Sequence, residues 1–411
     1  MTITIKKWSV EQLAFFFLLF IWHRGFYLIP ETIFGYVRDD VVFGICIVVF
    51  LMSVLINQKI SISRYFNIFA GILVLIVISA FMAHRTDNQA FMRGIINNMG
   101  WIAISLTYFP ISTWIQEKRL TYEDIETCIV TAAFIEVILV LIQFYVVGME
   151  SMFLSIKMNE RYESARLYLN NAYVVASIAI ICRKIAAGEN SVKNWVVLAL
   201  LFMAVVFVIK SRIGMVIALF VAVFTVFFSG EVIDKVRNRE NKRSNLFKIF
   251  LIIAGIALIF ASRHLKLIQD FMFALRNPTE DGSLSGRLET IDYFIDKWRT
   301  NNWTTLFGYG YATRELTLYR HIIADTGFFA FLYLYGAAGV IWLIALAYKT
   351  IKDGLIVLKT EKNGLLLALA LANFIGLSVT YFSGYYFAYT MLIIVIAEAK
   401  IYNYKEQGRK I

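Results

Sequence analysis

The chain has few of the residues that a water-soluble domain needs at its surface. Asp, Glu, Lys and Arg make up only 17% of its 411 residues, whereas 59% are hydrophobic and the mean hydropathy is +0.68. Proline occurs only three times. The scarcity of charge excludes an ordinary soluble protein, and the scarcity of proline leaves the apolar runs able to form uninterrupted helices.

Metal-binding and disulfide patterns are also missing. The three cysteines, Cys46, Cys128 and Cys182, all fall inside apolar runs, so we interpret them as small packing residues. No Asp-x-Asp pair and no His-Glu-x-x-His pattern occurs, so the sequence predicts neither a metal nor a cofactor. No alternating β pattern, internal repeat, separable soluble domain or cleavable signal peptide is visible.

Apolar runs of about 17–25 residues recur from end to end, and each is long enough to cross a bilayer. Only helices or closed barrels satisfy their backbone polar groups in lipid, so the sequence predicts an all-α integral membrane protein. We predict about twelve transmembrane helices, at roughly residues 12–30, 40–57, 65–83, 94–114, 127–148, 171–186, 194–209, 213–229, 249–262, 322–348, 363–381 and 385–399.

The predicted chain is a single membrane domain in three stretches. Residues 1–262 hold spans one to nine, residues 263–321 form a long extracytoplasmic loop, and residues 322–411 hold spans ten to twelve and a cytoplasmic tail. Loops of this length are usually functional or disordered. A smaller outer segment, residues 150–170, is a candidate second lid that carries Arg161 and Arg166.

The long loop contains LETIDYFIDKW, which has apolar residues at helical spacing. The predicted apolar face consists of Leu288, Ile291, Ile295 and Trp298. The opposite face carries Glu289, Asp292, Asp296 and Arg299. The pattern predicts an amphipathic helix that lies at the membrane surface or caps the bundle.

The net charge of +11 has a distribution that argues against nucleic acid as a partner. Lys and Arg are more frequent in the inner loops if the N-terminus is inside, which predicts that both termini are cytoplasmic. The predicted outer side has 13 arginines and 4 lysines, and the inner side has 7 and 16. Arginine binds phosphate better than lysine does, because its planar guanidinium group can donate two hydrogen bonds at once. The outer side is therefore expected to bind an anion.

The stretch SLSGRLETIDYF contains the first candidate anion ligand. Ser285 or Gly286 is predicted to start the loop helix, which would put Arg287 in its first turn. A cation there opposes the helix dipole, but backbone N–H groups at a helix start together with an arginine form a phosphate cradle. The alternative is an exposed arginine with no function.

Two further stretches lie on the predicted outer side. In KSRIG, Lys210 and Arg212 interrupt two apolar spans, either as anion ligands or as cations that snorkel to the interface. In LFGYGY, Gly308 and Gly310 allow a tight turn or a close backbone approach. The strand and helix of a dinucleotide-binding site are absent around them, so we exclude a Rossmann site.

The stretch LYRHIIADTGFFAFLYLYG leads into the predicted tenth span. His321 and Asp325 are four residues apart, so they share one face of a helix, and either could serve as a general base. The alternative is an interfacial ion pair between Arg320 and Asp325. Glu136 in span five and the pair His23–Arg24 in span one are further candidates, because ionisable groups inside a membrane are often functional.

These motifs together resemble the bacterial O-antigen and capsule polymerases of the Wzy type and the related O-antigen ligases. The resemblance extends over the predicted topology of the whole chain, and its specific motifs are KSRIG, SGRLETIDY, LFGYGY and DTGFFAFLYLYG. It implies metal-independent glycosyl transfer on the outer face of the bacterial inner membrane. The implied donor and acceptor are glycans linked to undecaprenyl pyrophosphate, and a chain-length regulator is a further partner that the resemblance leaves open.

The resemblance also implies roles for individual residues. Arg212 and Arg287, with Lys210 and Arg320, are expected to bind the pyrophosphate, and Asp325 or His321 to act as the base. In the ligases a histidine precedes a conserved glycine by eleven residues. Eleven residues before Gly336 is Asp325, which favours a polymerase over a ligase.

Three alternatives to a polymerase remain open. A ligase would transfer the glycan to lipid A–core. A transporter of polysaccharide or lipid would use charges near the middle of the bilayer, and Glu136 is the feature that favours it. A non-catalytic membrane sensor or scaffold is the third, and no motif speaks for it.

Overall fold

The computed structural model describes residues 8–22, 38–58, 62–147, 158–161, 164–167, 172–189, 191–209, 211–229, 282–312, 326–379 and 384–406. The helices are α1 (Val10–Trp22), α2 (Arg38–Asn57), α3 (Phe66–Asp87), α4 (Phe91–Asn97), α5 (Met99–Gln116), α6 (Tyr122–Ile142), α7 (Ala172–Ala186), α8 (Val192–Met203), α9 (Arg212–Phe228), α10 (Gly282–Trp298), α11 (Asn302–Phe307), α12 (Phe328–Glu361), α13 (Leu365–Val379) and α14 (Gly384–Glu406). Two of them continue as π-helices, α6 through Gln143–Val147 and α8 through Ala204–Ile209.

The predicted class of a helical membrane protein is confirmed. Four helical segments are long enough and apolar enough to cross a bilayer: Phe66–Asp87, Tyr122–Val146, Val192–Ile209 and Phe328–Glu361. Shorter apolar helices account for other predicted spans, and the predicted ninth span lies outside the described residues. The number of twelve spans therefore remains a prediction. The three cysteines are buried, in keeping with their interpretation as packing residues.

Contacts between helix ends define one end of the bundle. The backbone N–H of Gly364, just after α12, donates to the hydroxyl of Ser229, just after α9, at 3.2 Å. The hydroxyl of Tyr402 in α14 donates to the carbonyl of Gln116, the last residue of α5, at 2.8 Å. We call this region, where α5, α9, α12 and α14 finish, the tail end. These segments are all predicted to lie on the inner side of the membrane.

The opposite end of the bundle holds the helices of the predicted long loop. Helix α3 starts at the tail end, because Arg64 just before it pairs with Asp353 in α12. The other end of α3 contacts the segment Gly308–Ala312 and α11. Helices α10 and α11 pack on the first part of α12. We call this region the loop end.

The described part of the chain also contains a short two-stranded hairpin, which the predicted all-α class did not include. Strands β1 (Met158–Arg161) and β2 (Ser164–Leu167) pair antiparallel within the segment that we interpreted as a second lid. Strand β2 packs against the π-helical continuation of α8. Four-residue strands are too short for an alternating pattern to stand out in a sequence, which explains why this hairpin was missed.

A buried polar network joins four elements at the tail end, and sequence reasoning missed it. The Arg64 guanidinium binds both carboxylate oxygens of Asp353, with Nε at 2.7 Å from Oδ2. The Tyr65 hydroxyl donates to the same Oδ2 at 2.7 Å. The Tyr108 hydroxyl donates to Glu398 at 3.2 Å and accepts from the Tyr65 N–H at 3.1 Å. We call these five side chains the Arg64 network.

Candidate functional site

The predicted site residues divide into those that the structure describes and those that it does not. Asp325, His321, Lys210 and Arg320 lie outside the described residues. Only the backbone of Arg212 is described. The other predicted residues, Arg287, Gly308, Gly310 and Gly336, are described and lie at the loop end.

Gly308 and Gly336 are brought together by a close backbone contact. Gly336 interrupts α12 with φ 62° and ψ −157°, a conformation that a residue with a β-carbon rarely adopts. A β-carbon on Gly336 would lie 2.7 Å from the carbonyl carbon of Leu306, and one on Gly308 would lie 2.5 Å from the carbonyl oxygen of Leu334. Neither position has room for a side chain, so the LFGYG segment and α12 pack backbone against backbone.

Hydrogen bonds hold the LFGYG segment on both sides. The N–H of Tyr309 donates to the carbonyl of Tyr333 at 2.7 Å, which links the segment to the first turns of α12. The hydroxyl of Thr86 at the end of α3 donates to the carbonyl of Tyr309 at 3.0 Å. Gly310 lies so close to α3 that a β-carbon would be 2.5 Å from the backbone nitrogen of Ala83. The LFGYG segment therefore packs tightly between α3 and α12.

Helix α10 contains the predicted amphipathic stretch but starts earlier than expected. It begins at Gly282, so Arg287 lies in the second turn and not in the first. Its backbone N–H is therefore inside the helix, and the predicted cradle of helix-start N–H groups does not form around it. The half-buried Arg287 shares a face with Thr290 and Phe294, at spacings of three and seven residues.

The buried face of α10 also differs from the prediction. Thr290 and Phe294 are buried, and the Phe294 ring stacks on Tyr333 of α12 with the ring centroids 4.5 Å apart. Leu288, which we predicted on the apolar face, is 49% exposed and does not share in this packing. The stretch has apolar residues on more than one side, and packing against Tyr333 selects the side that carries Phe294 and Arg287.

Helix α9 has Arg212, a predicted anion ligand, in its first turn, whereas α10 has Arg287 in its second turn. Only Lys210 and Ser211 separate α9 from the π-helix before it, as the predicted short turn required. The Ser211 side chain caps α9 by accepting from the N–H of Gly214 at 3.2 Å, and Arg212 is the first helical residue. The N–H groups of such a first turn favour anions. Because α9 finishes at the tail end, Arg212 lies at the opposite end of this helix. The buried Thr326, which follows Asp325, lies just before the start of α12.

Sequence reasoning missed an aromatic stack beside these residues. The ring of Tyr309 stacks on Tyr333 at 5.5 Å, and Lys297 of α10 lies 5.1 Å from the centroid of the Tyr309 ring. Lys297 follows Phe294 by three residues, so helical spacing could have indicated that both face the same partner. The stack joins α10, the LFGYG segment that follows α11, and α12 at the loop end.

Glu136 in α6 is the described carboxylate that we singled out as a functional candidate inside a span. Its Oε2 atom is buried and has no hydrogen-bond partner among the residues that the structure describes. The predicted pair His23–Arg24 lies outside those residues. Within the described ranges no three His, Cys, Asp or Glu side chains are grouped so that they could hold a metal ion.

Comparison with known proteins adds no relative to this picture. No protein-family model matches the chain, and no curated protein matches it either. The class that the fold defines is a helical integral membrane protein, with a loop end where the helix that carries Arg287 packs on the first part of α12.

Proposed function

We propose that this protein polymerises oligosaccharide repeat units linked to undecaprenyl pyrophosphate. The observation that carries the proposal is the meeting of three motif segments at the start of α12. SGRLETIDYF packs there through Phe294, and LFGYG packs there through Gly308. The FFAFLYLYG part of DTGFFAFLYLYG forms the start of α12 itself. The three segments are separated in the sequence and meet only because the chain folds. Their meeting at one place favours a common role.

The proposed reaction forms one glycosidic bond and breaks one bond to phosphate. The acceptor hydroxyl oxygen attacks the anomeric carbon of the donor sugar, and the bond from that carbon to the pyrophosphate breaks. Asp325 or His321 accepts the hydroxyl proton. Arg212 and Arg287, with Lys210 and Arg320, bind the pyrophosphate and stabilise its charge as it leaves.

The proposed location is the bacterial inner membrane, with the loop end on the outer face. The tail end gathers the lysine-rich connections, and such connections favour the cytoplasm. Both termini would then be cytoplasmic, and membrane lipid would surround the bundle. The product would be O-antigen, capsule or exopolysaccharide.

The test is a polymerisation assay with the purified protein in liposomes. The lipid-linked repeat unit is supplied alone, with EDTA, and the products are separated on a gel. We expect a ladder of lengthening lipid-linked glycans, which Arg212→Ala and Arg287→Ala should abolish. Arg93→Ala, an exposed arginine of α4 at the same end, is the matched control and should keep the ladder. Normal chain lengths from a well-expressed Arg287→Ala protein would contradict the proposed role of Arg287. A product that forms only when lipid A–core is added would show a ligase.

A transporter is the second candidate, and Glu136 is the observation that favours it. A buried carboxyl oxygen without a hydrogen-bond partner is costly, so proteins usually retain one for a purpose. If neither glycan product forms, Glu136→Gln should be tested for loss of flipping of a fluorescent lipid-linked sugar across the liposome membrane. Unchanged flipping by that variant would remove the support that Glu136 gives to this candidate.

A further inference from the structure

A cleft of about 170 Å³ opens at the loop end, between the last turn of α3 and α11. Its apolar floor is formed by Met82 and Tyr309, both buried. Polar side chains line its walls: Arg85, Thr86, Thr300 and Asn301. Trp303, which is 52% exposed, forms the rim. We call this the Arg85 cleft.

Three side chains can donate hydrogen bonds into the Arg85 cleft. Asn301 uses its Oδ1 to cap α11, accepting from the N–H groups of Trp303 and Thr304 at 2.9 and 3.0 Å. Its amide NH₂ has no acceptor among the residues that the structure describes, so it can donate to a ligand. The Arg85 guanidinium lies 5.5 Å from the centroid of the Trp303 ring and forms no ion pair with any residue in the described ranges. The indole N–H of Trp303 is the third donor.

Two hydroxyl groups of the cleft can accept hydrogen bonds. The Thr86 hydroxyl donates its hydrogen to main-chain carbonyls, at 2.8 Å to Met82 and 3.0 Å to Tyr309. The Thr300 hydroxyl donates to the carbonyl of Lys297 at 2.8 Å. Each hydroxyl oxygen keeps a lone pair, so each can accept from a ligand. The cleft thus offers both donors and acceptors around an apolar floor.

This pattern selects one class of ligand. The pyrophosphate diester of a lipid-linked glycan has no proton at neutral pH and only accepts hydrogen bonds, so it would leave the lone pairs of the two threonine oxygens unused. A sugar ring has hydroxyl groups that donate and accept, and C–H groups that can contact an apolar floor. The cleft volume of about 170 Å³ equals roughly six water molecules at about 30 Å³ each, which suits one ring rather than two.

We propose that the Arg85 cleft is a saccharide subsite that holds one pyranose ring of the lipid-linked glycan. The proposal rests on the proposed function for the glycan to which the ring belongs. The cleft and the candidate site share Tyr309, whose ring stacks on Tyr333, and Tyr333 in turn stacks on Phe294 of the helix that carries Arg287. A sugar held in the cleft would therefore lie beside the segments that the proposed reaction uses, and Arg85 would determine specificity.

The experiment measures sugar binding directly, with the full-length protein in nanodiscs and saturation-transfer NMR. The probes are D-glucose, N-acetyl-D-glucosamine and D-glucuronate, with inorganic phosphate as a competitor. We expect saturable binding of at least one pyranose, weakened about tenfold or more by Arg85→Ala and by Trp303→Ala, because each removes a donor from the site. Arg299→Ala and Phe91→Ala remove an exposed arginine and an exposed aromatic ring outside the cleft, so they should leave binding unchanged.

Three results would overturn the subsite. They are no binding of any pyranose to the wild-type protein, equal binding by the Arg85→Ala and Trp303→Ala proteins, and displacement of the sugar by phosphate at lower concentration than by another sugar. The polymerisation assay separates this outcome from the proposed function. If the wild-type protein forms a glycan ladder but binds no pyranose, the subsite alone is refuted. If the wild-type protein binds a pyranose, both variants lose that binding and no ladder forms, the polymerase is refuted and the cleft remains a sugar site.

Discussion

Replacing Asp353 with alanine should destabilise this protein more than the loss of any exposed ion pair. The Asp353 side chain is fully buried and accepts three hydrogen bonds, two from Arg64 and one from Tyr65. The hydrogen bond to Asp353 raises the pKa of Arg64 above its ordinary value, against the opposing effect of burial. Arg64 still stays charged when its partner is removed, because a guanidinium keeps its proton at neutral pH even without a carboxylate beside it.

The magnitude follows from the charge that is left behind. Removing one member of a buried ion pair costs about 3–5 kcal/mol, because the remaining charge has no partner. Arg64 keeps 23% of its side chain exposed and can turn partly toward water, which favours the lower part of that range. The Tyr65 hydroxyl also loses its acceptor, which adds about 1 kcal/mol. Together these effects predict a loss of about 4 kcal/mol.

The assay is equilibrium unfolding by SDS in mixed micelles, followed by far-ultraviolet circular dichroism. Replacing both partners, Arg64→Met with Asp353→Leu, should recover at least half of the loss, because no buried charge remains. Glu117→Ala is the matched control: its pair with Arg119 is about a third exposed on both sides and should change stability by less than about 1 kcal/mol. A loss below 1 kcal/mol for Asp353→Ala would refute the buried ion pair.

Two further predictions concern single positions in the bundle. Gly336→Ala should cost about 2–4 kcal/mol in the same unfolding assay, because of its positive φ and the contact with Leu306. Gly44→Ala should be neutral or stabilising, since beyond its chain neighbours and its own helix backbone no described atom would lie within 4 Å of the added methyl group. Equal effects of the two substitutions would contradict the close backbone contact. Glu136→Gln should leave stability unchanged or raise it, because it removes an ionisable group whose buried Oε2 has no hydrogen bond within the described ranges. A loss above about 2 kcal/mol would reveal a partner.

Sequence reasoning located the helix with Arg287 but not its orientation. The spacing of Leu288, Ile291 and Ile295 indicated an apolar face, yet the face that carries Phe294 is the one that packs. A helical wheel ranks the faces of a helix by how apolar their residues are, and it takes no account of the shape of the helix against which a face packs. Here the partner is the ring of Tyr333, which stacks on Phe294, and the choice of face brings Arg287 into the half-buried position.

The glycines illustrate the same limit in the candidate site. Their presence in LFGYG indicated a tight turn or a close backbone approach, because glycine alone tolerates both. The structure has the close approach, to Leu334 in one case and to Ala83 in the other. The partners are far away in the sequence, so no local pattern could have named them. The roles of Asp325, His321, Lys210 and Arg320 remain predictions, since these residues lie outside the described ranges.

The sequence by itself determined the class of this protein and the approximate place of its helices. A long apolar run forms a helix for a local reason. In lipid each run must satisfy its own backbone hydrogen bonds, whatever the positions of the neighbouring helices. The tertiary structure alone decided which segments meet: Arg64 with Asp353, Gly308 with Gly336, and Arg85 with Trp303 across a cleft. Those pairings depend on shape and charge complementarity between distant parts of the chain, and that information is absent from any single stretch of sequence.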